Sequence, residues 1–243
     1  DTIDEGASET YDLSVGGVAA VGTITDDDNA PTISSVTAAT QLEGTTLVHT
    51  VTLSNASSSA TSFAYTLRGG SATGGGADYT TPPTFSNGVT LSGGILTVPA
   101  GVTSFTVTVP TTLDTIDEGA SETYSLAVGG VTAVGTIADD DNAPTISSVS
   151  AATQIEGTTL VHTVTLSNAS SGVTTFAYTL GGGSATGGGT DYTTPPTFSN
   201  GVTLAGGVLS VPAGVTSFTV SVPSTLDTID EGASETYDLS VGG

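Results

Sequence analysis

The residues of this sequence best suited to chemistry are its carboxylates, which occur in short groups. Three consecutive aspartates at 139–141 precede an Asn-Ala-Pro segment, and the same run occurs at 26–28. The chain has 24 acidic residues and a single basic side chain, Arg68, so that its formal net charge is −23. Like charges about 4 Å apart repel by roughly 4 kcal/mol at an effective dielectric constant near 20. Such groups therefore indicate a bound cation.

Calcium is the cation that these residue types favour. Ca²⁺ takes oxygen ligands from several carboxylates and carbonyls in flexible geometry, whereas Mg²⁺ keeps more of its waters and ranks second. The sequence has no Cys and only two His, which disfavours zinc and copper. The alternative is a solvated acidic surface that keeps a β-protein in solution. Because the acids are grouped, we expect Ca²⁺, with more than one ion per complete repeat.

The elements that must position these acids belong to a repeat of 113 residues. The segment DTIDEGASET begins at Asp1, Asp114 and Asp227, and the sequence between successive copies is nearly identical. A period of this length is the size of a domain and too long for a solenoid turn. The predicted organisation is the C-terminal strands of a preceding repeat at 1–29, a complete repeat at 30–142, and a following repeat without its last strand at 143–243.

Apolar and polar residues alternate within each repeat, which is the pattern of half-buried β-strands. No segment has the apolar spacing and the caps of a helix. About seven short strands, each with one apolar face, predict an all-β fold of tandem antiparallel immunoglobulin-like β-sandwiches in an extended array. The strands are expected near 32–37, 46–53, 63–67, 95–98, 104–109, 124–128 and 131–138.

Three smaller expectations follow from single positions. The segment Ser86-Asn87-Gly88-Val89 predicts a tight hairpin turn. His49 and His162 alternate with apolar residues, so both are expected to be satisfied core histidines and not catalytic bases. Tyr124 is either a tyrosine corner or an ordinary core tyrosine.

Nearly all of the acids fall in loops or at strand ends, and alternate connections of a sandwich lie at the same end. We therefore expect one acidic end in each repeat. Glu122 and its equivalents lie on a strand and are expected to face solvent. The predicted ligands of the complete repeat are Glu43, Asp78, Asp114, Asp117, Glu118, Asp139, Asp140 and Asp141. Those of the other two copies are Asp1, Asp4, Glu5, Asp26, Asp27 and Asp28, and Glu156, Asp191, Asp227, Asp230 and Glu231.

The combination of these motifs resembles the Calx-β domain over each whole repeat. The residues that carry the resemblance are Glu43-Gly44 before Val51-Thr52-Leu53-Ser54, Asp78-Tyr79 after a glycine-rich loop, Asp114 to Gly119 with Glu122-Thr123-Tyr124, and the aspartates at 139–141. The resemblance implies an immunoglobulin-like sandwich with a cluster of Ca²⁺ ions at one tip. Three features depart from it: His49 replaces an aromatic core residue, Pro82 to Gly94 is an extra segment, and Thr115 replaces an acid.

Near-identical, cysteine-free, acidic arrays of this kind are similar to the extender regions of giant repeats-in-toxin-type bacterial adhesins. The resemblance implies an extracellular or cell-surface structural segment, a stalk or filament, whose repeats are stiffened by Ca²⁺ where one repeat passes into the next. The alternative is a carbohydrate- or ligand-binding adhesive sandwich that acts through avidity. No catalytic constellation emerges, so an enzyme is not expected.

The same sequence also bears on partners. A strongly acidic chain is a poor match for nucleic acid, and no apolar run is long enough to cross a membrane. The neighbours of a repeat are expected to be near-identical repeats in the same chain or filament. Residues 1–29 contain the last strand that the final repeat lacks, so two interpretations stay open: a stretch of a continuous array, which is simpler, and exchange of that strand between chains.

Overall fold

The computed structural model describes residues 2–6 and 8–243, and all of the regular secondary structure in them is β-strand. Contacts divide the chain into two compact units, the first formed by Asp1–Asp114 with Ala120–Asp139 and the second by Thr115–Gly119 with Asp140–Gly243. The strands are β1 Ile3–Asp4, β2 Ser8–Val15, β3 Val18–Thr25, β4 Ile33–Val36, β5 Ala39–Leu42, β6 Thr46–Leu53, β7 Ala56–Ser57, β8 Thr61–Gly69, β9 Thr84–Phe85, β10 Thr90–Ser92, β11 Ile95–Val98, β12 Ser104–Pro110, β13 Ile116–Asp117, β14 Ser121–Val128, β15 Val131–Ala138, β16 Ile146–Val149, β17 Thr159–Leu166, β18 Ala169–Ser170, β19 Thr174–Gly181, β20 Thr197–Phe198, β21 Thr203–Ala205, β22 Val208–Val211, β23 Ser217–Pro223 and β24 Asp238–Val241.

The first unit contains two sheets that share one hydrophobic core. One has the order β10-β11-β8-β14-β15-β5 and the other β4-β6-β12-β9. In β6 the residues Leu47, His49 and Val51 are fully buried, while those between them are exposed. Leu47 and Val51 meet Leu96 and Leu126 of the opposite sheet in a single core cluster. This is the arrangement of a β-sandwich, and the predicted all-β class is confirmed, with a strand at each of the seven expected places.

The sandwich strands pair antiparallel with one exception. β5 runs parallel to β15, with Gly135 opposite Ala39 and Ala138 opposite Leu42. The sequence does not predict β5, because its four residues lack an apolar alternation. The parallel pair brings the C-terminal ends of two strands to the same edge of the sheet, and this decides where the following residues lie.

Ser86–Val89 forms the predicted turn, but the prediction of a hairpin is wrong. Val89 N donates to Ser86 O at 3.2 Å, and Asn87 and Gly88 both have positive φ, at 55° and 72°. The strands on either side belong to different sheets, since β9 pairs with β12 and β10 pairs with β11. The turn therefore carries the chain from one sheet to the other.

His49 is a satisfied core histidine, as predicted. Its Nδ1 lies 2.7 Å from the carbonyl oxygen of Thr37 and its Nε2 lies 2.8 Å from the Tyr124 hydroxyl. Burial lowers the pKa of His49, while the bond to Thr37 opposes that shift. A neutral ring with its proton on Nδ1 donates to the carbonyl and accepts from Tyr124. The tyrosine, only 1% exposed, is a core residue that pairs with His49.

The second unit repeats this design with fewer strands. Its sheets have the orders β16-β17-β23-β20 and β21-β22-β19-β24, and they enclose a core that includes Val164, Leu209 and Phe218. β24 pairs with β19 over only four residues. Residues 152–155, the counterpart of β5, are not a strand. The segment 115–119 adds a short parallel pair, β13 with β18.

Residues 2–25 of the first unit include a two-stranded sheet. β2 and β3 pair over their full length, from Ser8 opposite Thr25 to Val15 opposite Val18. Every residue of β2 is exposed, although its sequence is nearly that of β14 in the sandwich. β1 pairs separately, in parallel, with β7.

Candidate metal centre

The first acidic pair, Glu43 and Asp139, arises directly from the parallel strands β5 and β15. Leu42 and Ala138 are opposite one another at the ends of these strands, so the next residue of each chain segment emerges side by side. A carboxylate oxygen of Glu43 and one of Asp139 lie within 4.8 Å of each other. Glu43 is only 4% exposed. Burial of a carboxylate beside a second one is costly unless a cation or hydrogen bonds compensate.

Local backbone geometry holds Glu43 in place. Its N–H donates to Ala138 O at 2.9 Å, and its Oε1 accepts from Asp114 N at 3.4 Å. Gly44 follows at φ +69°, and a Cβ there would lie 2.8 Å from the Cβ of Leu113. The Glu-Gly motif is therefore fixed by a turn that only glycine fits without strain.

The second acidic pair of the first unit is Asp78 with Glu122, whose oxygens also lie within 4.8 Å. The glycine-rich loop that ends at Asp78 folds over the start of β14, because Gly70 N and Ala72 N both donate to Thr123 O. One Asp78 oxygen accepts from the N–H of Thr73, which closes the loop. The prediction that Glu122 faces solvent is wrong: it is half-buried and its Oε2 is inaccessible.

The two pairs share a connecting segment. Gly44 N donates to Thr112 O at 3.1 Å, and Thr112 N donates to Asp78 O at 2.9 Å. Residues 112–114 thus hydrogen-bond to both acidic loops, at Glu43 and Gly44 and at the carbonyl oxygen of Asp78. The expectation that loops from different parts of the repeat meet at one end is met by these three loops of the first unit.

The aspartates at 26–28 form a third group in the first unit, with carboxylate oxygens within 4.8 Å of one another. Asp26 accepts from Glu5 N and from Asp28 N, each at 3.2 Å. The β2–β3 hairpin explains the contact with Glu5, because Ser8 and Thr25 are opposite at its open end. Asp28 Oδ2 is inaccessible to solvent and has no hydrogen-bond partner. A cation is the group that such an oxygen fits.

In the second unit the corresponding acids are Asp191, Glu231 and Glu235, again within 4.8 Å. Loss of hydration raises the pKa of Glu231, and the carboxylates of Glu235, Asp191, Asp227 and Glu156 raise it further. The pKa of Glu235 is raised as well, first by loss of hydration and then by Asp191 and Asp227. Neighbouring carboxylates therefore act on both Glu231 and Glu235, although these two side chains are exposed.

The aspartate of each Asp-Glu-Gly motif accepts a hydrogen bond within its own loop and does not join an acidic group of the described residues. Oδ1 of Asp4, Asp117 and Asp230 accepts from the N–H of the glycine two residues later, at 3.2, 3.3 and 3.2 Å. The carbonyl oxygens of the first two also accept from Ser58 N and Ser171 N, beside the short parallel strands. Among the described residues, these three aspartates lie in no group of three or more acids.

The remaining predicted ligands fall as follows. Asp1 lies outside the described residues. Asp114 is half-buried in the first unit, and Asp140 and Asp141 belong to the second unit together with Glu118. Glu156 is exposed, unlike its counterpart Glu43. Sequence reasoning missed Glu122 and Glu235 as members of acidic groups. The signal available was their constant position four residues after Glu118 and Glu231.

The chemistry of these sites is that of hard oxygen donors. Each group described above consists of carboxylates, and His49 is engaged in the core. Such a donor set suits Ca²⁺, and it contains no nitrogen or sulfur ligand that would favour zinc or copper. The residues present therefore fit a calcium ion, which would supply charge neutralisation and cross-linking of loops.

Comparisons with known proteins add little to this geometry. No protein-family model and no curated protein matches the chain. Among solved structures, a marsupial T cell receptor is similar at 13% identity over 87% of this chain and 100% of that one, with a TM-score of 0.23. A score this low supports no argument about function. In the described residues, no helix has the length and apolar character needed to cross a membrane.

Proposed function

We propose that the chain is a calcium-stabilised structural segment of an extracellular stalk or filament, without enzymatic activity. The observation that carries the proposal is Glu43, a carboxylate only 4% exposed, set beside Asp139 in a chain with one basic residue. Repulsion between these groups is relieved when a divalent cation binds both. The carboxylates thus act as ligands, and their neutralisation stabilises the end of the repeat.

Backbone contacts place the proposed ligands close to one another. β5 and β15 bring Glu43 and Asp139 together, and the glycine-rich loop brings Asp78 to Glu122. Residues 112–114 connect the two loops. A cation at either pair therefore ties together segments that are distant in sequence, which stabilises the folded state by mass action. More than one ion for each complete repeat is consistent with two separate pairs.

The position of the acids in the sequence supports a structural role for the metal. The aspartates at 139–141 immediately precede Asn142-Ala143-Pro144, where one repeat passes into the next. Proline restricts its own φ and biases the preceding residue to extended backbone. An ion bound by residues just before this joint would restrict it further. An array of such repeats would then be stiff in millimolar Ca²⁺ and flexible without it.

The test is thermal unfolding together with small-angle scattering, in calcium and after removal of calcium with a chelator. The expected results are a higher melting temperature and a larger maximum dimension in calcium, with magnesium less effective. Asp12→Asn is the matched control, because Asp12 is an exposed acid in β2 outside the acidic groups. It should leave both calcium effects unchanged. If chelation changes neither quantity in the wild-type chain, calcium is not a structural ligand.

A further inference from the structure

The complete repeat and the one that follows it differ in charge at only two positions, and these positions are opposite one another in the sheet. Over the stretch that both repeats cover, they differ at 14 positions. Arg68 corresponds to Gly181 and Ser125 corresponds to Asp238, while all the other differences exchange uncharged residues. Ser125 pairs with Arg68 across β14 and β8, and Asp238 pairs with Gly181 across β24 and β19. The same surface position therefore has a positive charge in the first unit and a negative charge in the second.

The two charged positions lie on the outer face of the sheet. Arg68, Ser125 and Asp238 are all exposed. On either side of Ser125, Tyr124 and Leu126 are buried in the core, so that Ser125 itself points away from it. β14 is paired on both of its edges, with β8 and with β15. The exposure of this position therefore belongs to the face of the sheet and does not depend on an unpaired edge.

The rest of this outer face has short, uncharged side chains in both units. Within β8, β11 and β14 and within β19, β22 and β24, all of them described strands, Arg68 and Asp238 are the only charged residues at outward positions. Short side chains allow two sheets to pack face to face at about 10 Å. The outward neighbours are Ala64, Thr66, Ile95 and Ala127 in the first unit and Ala177, Thr179, Val208 and Ser240 in the second.

We propose that this outer face of the first unit in one copy of the chain packs against the corresponding face of the second unit in another copy, with Arg68 beside Asp238. Charge complementarity selects this combination. Two first-unit faces would bring guanidinium against guanidinium, and two second-unit faces would bring carboxylate against carboxylate. Among the described residues Arg68 has no ion-pair partner, although the chain has 24 acids. Its planar guanidinium suits a carboxylate supplied from outside.

The ion pair determines which faces meet, and the sheet surface around it supplies most of the contact area. A single exposed pair adds little affinity, but chains with many repeats would make the same contact many times and associate through avidity. The contact uses none of the carboxylates assigned to metal sites. Its failure would therefore leave the calcium proposal untouched, and failure of the calcium proposal would leave this contact untouched.

The experiment reverses each charge separately and then mixes the two variants. Arg68→Asp brings aspartate against Asp238, and Asp238→Arg brings arginine against Arg68. Each variant alone should therefore associate at least about tenfold more weakly than wild type. An equimolar mixture should associate again, because each face then meets the opposite charge on the other variant. Sedimentation velocity over a concentration series, at fixed calcium and ionic strength, should give masses of two chains or more for wild type and for the mixture.

Asp12→Arg is the matched control for net charge. Residues 1–17 and 227–243 are identical, and Asp12 is the counterpart of Asp238 in the exposed strand β2. The control changes the net charge by the same amount as Asp238→Arg, in the same local sequence, but outside the proposed contact. It should associate at least as strongly as wild type, because lower net charge reduces repulsion between chains. All of the substituted side chains are exposed, so melting temperatures should stay close to that of wild type.

Three results would overturn the proposal. The first is a wild-type mass of one chain throughout the concentration series. The second is a mixture that associates no better than its separate variants, since Arg68 and Asp238 would then not meet. The third is an Asp238→Arg chain that associates as strongly as the Asp12→Arg control, because association would then follow net charge and not the face of the sheet.

Discussion

The two copies of the repeat have nearly the same sequence but differ around a single strand. Where β15 is present, β14 is eight residues long, β5 forms, and Glu43 is buried beside Asp139. In the second unit, β24 has four residues, the counterpart of β5 is irregular, and Glu156 is exposed. The loops that carry Glu43 and Asp78 each differ from their counterparts at one position, Leu42 against Ile155 and Ala77 against Thr190. Local sequence alone therefore does not order them. β15 orders them by pairing on both of its edges.

The largest expected difference between the copies is in the stability lost when a leucine of β14 or of β24 is replaced by alanine. Leu126 is fully buried, so Leu126→Ala should reduce the free energy of unfolding of the first unit by about 2–5 kcal/mol. Leu239 is half-buried, and Leu239→Ala should cost its unit only about 1 kcal/mol. Hydrogen exchange of amides in each unit measures both. Equal losses would mean that β15 contributes little to the core.

The buried glutamate should respond to calcium in a way that its exposed counterpart does not. Without calcium, Glu43→Gln should be as stable as wild type or more so, because a buried charge beside Asp139 is removed. With calcium, the order should reverse, and affinity should fall by at least about tenfold, as for loss of a group from a metal site. Glu156→Gln should change affinity less. Titration calorimetry and melting in both conditions give the comparison.

A Glu43→Gln chain that binds calcium as tightly as wild type would remove Glu43 from the ligand set. That result would not contradict the pairing of β5 with β15.

The acidic group of the second unit should make its stability depend on pH in the absence of calcium. The folded-state pKa values of Glu231 and Glu235 are raised above the ordinary 4.5, so the folded state holds their protons more tightly than the unfolded state. The resulting stabilisation is complete below 4.5 and is lost as pH rises through the raised values. Melting temperature should therefore increase as pH falls from neutral toward this range.

Calcium should weaken this dependence, because it occupies the carboxylates in place of protons. Glu235→Gln should weaken it in calcium-free buffer as well. A calcium-free chain whose melting temperature is flat over the same range would show that repulsion among these acids is too small to matter.

The smallest difference is expected at a turn remote from β15. Asn87 and Asn200 both have positive φ, and each donates from Nδ2 to a backbone carbonyl at 2.7 Å. Asn→Gly at either position removes that hydrogen bond but fits the backbone, so each unit should lose only about 1 kcal/mol. Denaturant unfolding should give the same value in both copies. Unequal values would extend the difference between the units beyond the neighbourhood of β15.

The strands of the sandwich follow from the sequence because their alternation has a simple physical cause. In β6, each second residue must enter the core, and Leu47, His49 and Val51 do. The grouping of acids in loops was predictable for the same reason, since loops follow strand ends. Contacts between distant segments were not: the pairing of β5 with β15, and the loop that brings Asp78 to Glu122, depend on backbone hydrogen bonds that any residue can make.

The parallel pairing of β5 with β15 also bears on how a repeat resists tension. β5 lies near the start of the complete repeat and β15 at its end, so force applied through the chain pulls the two strands lengthwise in opposite directions. The four residue pairs from Gly135–Ala39 to Ala138–Leu42 then share the load at once and are sheared together. A strand peeled from its end would instead lose its pairs one after another. The strand that orders the acidic loops is thus also the one best placed to make the repeat mechanically strong.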